Sequence, residues 1–99
     1  MLTIKATAIE LLDDSTYPEM VLIEFLDYYG RRHRFVEKWP VVSAEAFDSS
    51  FPRDCDIACV IVEEKESSLI VDTSKPWGIV SEEGLTVFEI NKNVLLNND

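Results

Sequence analysis

A chain of 99 residues with 46% hydrophobic content has room for one core and is neither disordered nor fibrous in balance, so a single globular domain spanning 1–99 is expected. Its 19 acidic residues against nine basic ones give a formal charge of −10, which repels a phosphate backbone and argues against a nucleic-acid partner. The start, Met1 to Ala6, runs straight into an alternating pattern, without a basic leader, an apolar block or any run near the ~20 apolar residues of a membrane span; a cytoplasmic protein with no membrane association is expected.

Taken in chain order, the dominant period is two, and residues of high strand propensity recur between turn residues. Strands are predicted at 2–12, 19–27, 31–39, 57–63, 68–73, 77–81 and 85–91. The first changes phase at Ala8-Ile9, where Leu2, Ile4 and Ala6 give way to Ile9 and Leu11, which calls for a bulge or bend. Asp27-Tyr28-Tyr29-Gly30 then places aspartate at the first and glycine at the fourth position of a tight hairpin turn. Counting outward from that turn pairs Leu26 with Arg32, Phe25 with His33, Glu24 with Arg34, Ile23 with Phe35 and Leu22 with Val36. One face of the hairpin carries Ile23, Phe25, Phe35 and Trp39, and the other carries a Glu24–Arg34 ion pair among Leu22, Val36 and Lys38.

Beyond the hairpin, 43–49 reads as one short helical turn capped by Ser43, followed by a loop at Phe51-Pro52-Arg53-Asp54. Ile57 to Val62 is apolar on both faces, as for a strand covered on both sides at the centre of the domain, and a turn at Glu64-Lys65-Glu66-Ser67 returns the chain through Leu69-Ile70-Val71. Ser81-Glu82-Glu83-Gly84 repeats the first turn's chemistry, which sets Ile79 opposite Val87 and Gly78 opposite Phe88. The carboxyl end, Asn97-Asn98-Asp99, is a short polar tail. The fold class is all-β: a small, strongly curved antiparallel sheet or partly open barrel of about six to seven strands, with a two-layer sandwich as the alternative.

Chemistry-bearing constellations are sparse. His33 is the one histidine, and its neighbour across the hairpin is Phe25; Ser43, Ser49 and Ser50 belong to a cap and a loop, so no catalytic residues are assigned and the protein is read as a non-enzyme. The three glycines, at 30, 78 and 84, cannot build a phosphate loop, and Asp54-x-Asp56 lacks the further ligands of a calcium loop. Cys55 and Cys59 stand four apart, roughly 13 Å on an extended strand, beyond the ~7 Å reach of a disulfide, so both are expected as free thiols. They lack the second ligand pair of a zinc site. Neither metal nor cofactor is called for.

What remains is an interaction protein, whose acids Asp13, Asp14, Asp54, Asp56, Glu63, Glu64, Glu66, Glu82 and Glu83 fall at predicted turns and loops. Such a chain suits rapid capture of a basic protein partner, with Tyr28, Tyr29, Trp77, Glu82 and Glu83 as partner-binding candidates. In size and acidity it is similar to bacterial immunity proteins, which block a cognate toxin; the likeness is one of general character. Two alternatives stand beside this reading. One is an oligomeric accessory subunit using Leu22, Leu26 and Val36, a homo-oligomer among them. The other is a small-ligand or carbohydrate-binding barrel using Trp39, Trp77, Tyr28 and Tyr29.

Overall fold

The computed structural model describes residues 1–13, 15, 17–48 and 50–97. Asp14, Ser49, Asn98 and Asp99, on which parts of the acidic tip, the 43–49 turn and the polar tail were placed, lie outside the described residues together with Thr16. The chain is all-β, in two antiparallel sheets. The first contains β1 (Leu2–Asp13), β2 (Met20–Leu26), β3 (Arg32–Lys38) and β4 (Arg53–Ala58) in the order β3-β2-β1-β4, with β8 (Leu95–Asn97) also paired to β1. The second orders β5 (Val60–Glu64), β6 (Ser68–Asp72) and β7 (Val87–Asn91) as β5-β6-β7. No closed barrel forms among the described residues.

The alternation read from the sequence becomes the core. Ile4, Ala6 and Ala8 of β1, Val21, Ile23 and Phe25 of β2, Phe35 of β3 and Cys55 and Ile57 of β4 turn one way, and meet Leu69, Val71, Phe88 and Ile90 of the second sheet in one apolar cluster. Strand β1 is long enough to serve two partners in succession, β8 at Leu2 to Ile4 and β2 from Thr7 onward. The predicted phase change is there as a bulge between Ala8 and Glu10, and a second irregularity follows between Leu11 and Asp13.

The β2–β3 hairpin has the register expected of it, from Leu26↔Arg32 through Phe25↔His33 and Glu24↔Arg34 to Leu22↔Val36. Its turn closes through Gly30 N–H to the Asp27 carbonyl at 3.0 Å and Asp27 N–H to the Arg31 carbonyl at 2.9 Å. Gly30 has φ +79°, the left-handed region that a residue without Cβ enters most cheaply. The turn at Ser81 repeats the pattern, Gly84 N–H to Ser81 and Ser81 N–H to Leu85, each at 2.9 Å.

Four expectations are corrected. The predicted strand 57–63 breaks at Cys59 into β4 and β5, and β5 is not covered: all five of its residues are exposed, because it is the edge of the second sheet rather than its centre. No strand forms over 77–81. Pro76 has no N–H to give a ladder, and the buried Thr73 instead holds the segment locally, its hydroxyl on the Ile79 carbonyl at 2.7 Å and its carbonyl taking Ile79 N–H at 3.0 Å. Phe88 therefore lies opposite Val71, not Gly78. The helical turn sits at Trp39–Val42 (α1), ahead of the predicted 43–49; Pro40 suits a first turn, and Ser43 ends the helix instead of starting it, donating its N–H to the Trp39 carbonyl. Finally, β8 was not anticipated; three residues are too few for period two to register.

Candidate functional site

The five partner-binding candidates are distributed over three places. Tyr28 and Tyr29 form the hairpin tip, their rings edge to face at 5.3 Å. Tyr29 is not free to swing, since its hydroxyl donates to Glu89 Oε1 at 2.9 Å. Glu82 and Glu83 line a small cleft with Arg32 and Arg34, where Glu82 N–H also donates to the Arg34 carbonyl at 2.8 Å, so part of their charge faces cations of the same chain. Trp77 lies elsewhere, 56% exposed, at the rim of an apolar cleft.

That cleft, of about 360 Å³, is built from four parts of the fold. Pro40, Val41 and Val42 of α1 with Ser43 and Ala44 form one wall; Asp56 and Ala58 of β4 form another; Met1 and Thr3 reach it from the β1 end; and Trp77 closes the rim. Two anchors hold the walls. Trp39 fills the core beneath α1, donates its indole N–H to the Glu45 carbonyl at 2.9 Å and carries the Arg53 guanidinium over its ring at 5.0 Å. Trp39 is thus a core residue and is unavailable as a sugar-stacking surface, whereas the Thr73 bonds and Gly78 N–H to the Ser74 carbonyl at 2.8 Å fix the turn that carries Trp77. Asp56 is half-buried, and burial, then the neighbouring Asp54 charge, pushes its carboxyl above the usual value. Lys5 stands opposite it across the β1–β4 ladder, yet no ion pair joins them.

Sequence reasoning paired His33 with Phe25 and missed its polar partner. The His33 ring is buried and its Nε2 lies 2.8 Å from Asp27 Oδ2, while Asp27 Oδ1 accepts the N–H groups of Tyr29 and Arg31, both at 2.9 Å. Burial pushes the Asp27 carboxyl up, but the His33 bond and the two backbone N–H bonds outweigh it and hold it below the ordinary value. The signal was legible: Asp27 is two residues past Phe25, hence on the same face and diagonal to His33. Nδ1 has no hydrogen-bond partner among the described residues and sits beside an aromatic wall, with Phe25 and Phe88 at ring-centre distances of 5.4 and 4.8 Å. The imidazole orders the hairpin, and with Asp27, Tyr29, Arg31, Phe88 and Glu89 it lines a small cleft of about 200 Å³.

Both cysteines are free and buried. Burial, then Asp56 and Asp54, pushes the Cys55 thiol up to about 12, and burial pushes Cys59 up to about 11, so neither supplies thiolate near neutral pH. Alkylation at pH 8 should leave the native protein unlabelled and label two thiols once it is denatured without reductant, as intact mass will register; rapid native labelling at either site would contradict the burial. No group of three or more His, Cys, Asp or Glu side chains is placed to hold a metal ion among the described residues, and no helix is long and apolar enough to cross a membrane. In comparisons with known proteins, no family model matches the chain, and neither a curated protein nor a solved structure is significantly similar to it.

Proposed function

We propose that this protein is a non-enzymatic acidic binding module that captures a basic protein partner, in the manner of an immunity-type inhibitor. The observation that carries the reading is a set of unpaired acids along β4, β5 and the turn that follows them. Asp54, Asp56, Glu63 and Glu66 there have no ion pair among the described residues, and they flank exposed Val60, Ile61 and Val62, beside the cleft at Trp77. Several other acids are spent internally: Glu24 on Arg32 and Arg34, Glu45 and Asp48 on Arg53, Glu89 on Lys65, and Glu64 of β5 itself on Lys92. Unpaired acids around apolar surface suit steered association followed by apolar locking. Two unbridged cysteines fit a reducing compartment such as the cytoplasm.

The test is capture from lysate at low salt, followed by association and dissociation rates across a salt series. For a basic partner, association should fall steeply as salt rises, since screening shortens the field to ~8 Å at physiological ionic strength, while dissociation changes little. Neutralising Glu63 and Glu66 should slow association more than neutralising Glu82 and Glu83, which face Arg32 and Arg34. Acidic or nucleic-acid hits, or association indifferent to salt and to these variants, would replace this reading with the accessory-subunit one.

A further inference from the structure

We propose that the cleft at Trp77 is a lysine-recognition site: it receives one lysine side chain of the basic partner, with the ammonium on Asp56 and the methylene stem along Val42 and Ala58. The proposal rests on the protein-binding reading above and names the group that its central contact would hold. Three features of the cleft select this ligand. Its walls are mostly apolar, Pro40, Val41, Val42, Ala44 and Ala58, which suits a hydrocarbon stem. Its one charged side chain is Asp56, half-buried, with Asp54 close enough to oppose its ionisation and no ion pair among the described residues, although the amino-terminal Met1 also lines the cleft; a carboxylate in that position gains from an incoming positive charge. Trp77 at the rim presents the aromatic surface over which a cation or its adjoining methylenes lie favourably.

Lysine fits better than arginine because of donor arithmetic. An ammonium has three N–H groups, for which the Asp56 carboxylate and the hydroxyls of Ser43 and Thr3 are acceptors among the lining side chains, beside solvent at the mouth. Ser43 Oγ already accepts Glu45 N–H at 3.1 Å and keeps a second lone pair. A guanidinium brings five donors on a rigid plane, and a single carboxylate between apolar walls would leave several of them without partners. The site is also held in place before binding, by the Thr73–Ile79 and Ser74–Gly78 bonds under Trp77 and by the Thr3↔Ala58 ladder beside Asp56.

The experiment titrates ¹⁵N-labelled protein with Nα-acetyl-lysine N-methylamide, and in parallel with the norleucine and arginine analogues. Norleucine keeps the stem and lacks the ammonium. The lysine compound should give saturable shifts centred on the Trp77 indole and the Ser43, Asp56 and Ala58 amides. Norleucine should bind about tenfold more weakly and arginine also more weakly, a tenfold step being about 1.4 kcal/mol. Asp56→Asn should erase the advantage of lysine over norleucine, and Trp77→Ala should weaken both. Shifts scattered over the acidic surface, equal response to lysine and norleucine, or an Asp56→Asn protein that still prefers lysine would overturn the proposal. Failure of the broader reading looks different. A captured basic partner that depends on Glu63 and Glu66 but ignores Asp56→Asn keeps the binding module and removes the lysine site. Saturable lysine binding with only acidic or nucleic-acid partners recovered keeps the ammonium site and removes the module.

Discussion

Trp39→Ala should lower the free energy of unfolding by about 3–5 kcal/mol, the range for truncating a large buried aromatic. Trp39 is 2% exposed and is more than filler. It packs edge-on against Phe47 with ring centres 5.9 Å apart, supports the Arg53 guanidinium and ties the Glu45 carbonyl, so one side chain joins three points of the connection from β3 to β4. Arg53 in turn reaches Glu45 at 2.6 Å and Asp48 at 3.1 Å, and without the ring beneath it these bonds lose their platform. Urea unfolding should show a lower midpoint with little change in slope. Trp39→Phe, which retains a ring and forfeits only the indole bond and some area, should recover well over half of the loss. A drop below about 1 kcal/mol for alanine would mean that α1 is held by other contacts, and the wall of the Trp77 cleft with it.

Asp27→Ala is the second large effect, about 2–4 kcal/mol at neutral pH, the scale for breaking a buried hydrogen-bond network. Its carboxylate accepts three bonds at once, and removing it strands the His33 Nε2–H inside an aromatic wall, where an unmet polar group costs about 1–3 kcal/mol. Asp27→Asn separates the parts. It keeps an oxygen for the Tyr29 and Arg31 N–H groups but presents an amide N–H toward the ring, which then must carry its proton on the enclosed Nδ1. The pH dependence has a fixed sign. A carboxyl held below its ordinary 3.8 stabilises the fold in full above that value, and its contribution disappears as pH falls through the lower folded value, because the unfolded chain takes up the proton first. The gap between wild type and Asp27→Ala should therefore stay level from neutral to about pH 5 and shrink below about pH 4. A gap that closes already near pH 6 would assign the coupling to a different group.

How much of this was readable in the amino-acid order depends on how local the cause is. The β2–β3 register was, because a turn with Asp27 first and Gly30 fourth sets every pair up the ladder, and the faces follow by parity. The bulge after Ala8 was legible for the same reason, as a slip in a period of two. The exposure of β5 was not: Val60, Ile61 and Val62 have the composition of a covered strand, and only the assembly of both sheets places them at an exposed edge. The segment after Thr73 failed differently. Its alternation resembles a strand, but Pro76 and the Thr73 hydroxyl settle it as a knot of local bonds. The Trp77 cleft could not be read at all, because Val42, Asp56, Ala58 and Trp77 come from three separated stretches and meet only in the fold.

The single residue between β4 and β5 has a mechanical consequence. At Cys59 the two sheets share one continuous backbone, with its N–H on the Leu2 carbonyl at 3.0 Å, so this side works as a spine. The opposite side, between β3 and β7, is stitched by Tyr28 N–H on Glu89 and Glu82 N–H on Arg34, each at 2.8 Å, above the rings of Phe25, Phe35 and Phe88. The molecule is a book bound at Cys59, and again where Lys92–Val94 carries β7 into β8, and clasped at Tyr28 and Glu82. Breathing motions short of unfolding open it at the clasp, and those two amides exchange their hydrogens before that of Cys59 does.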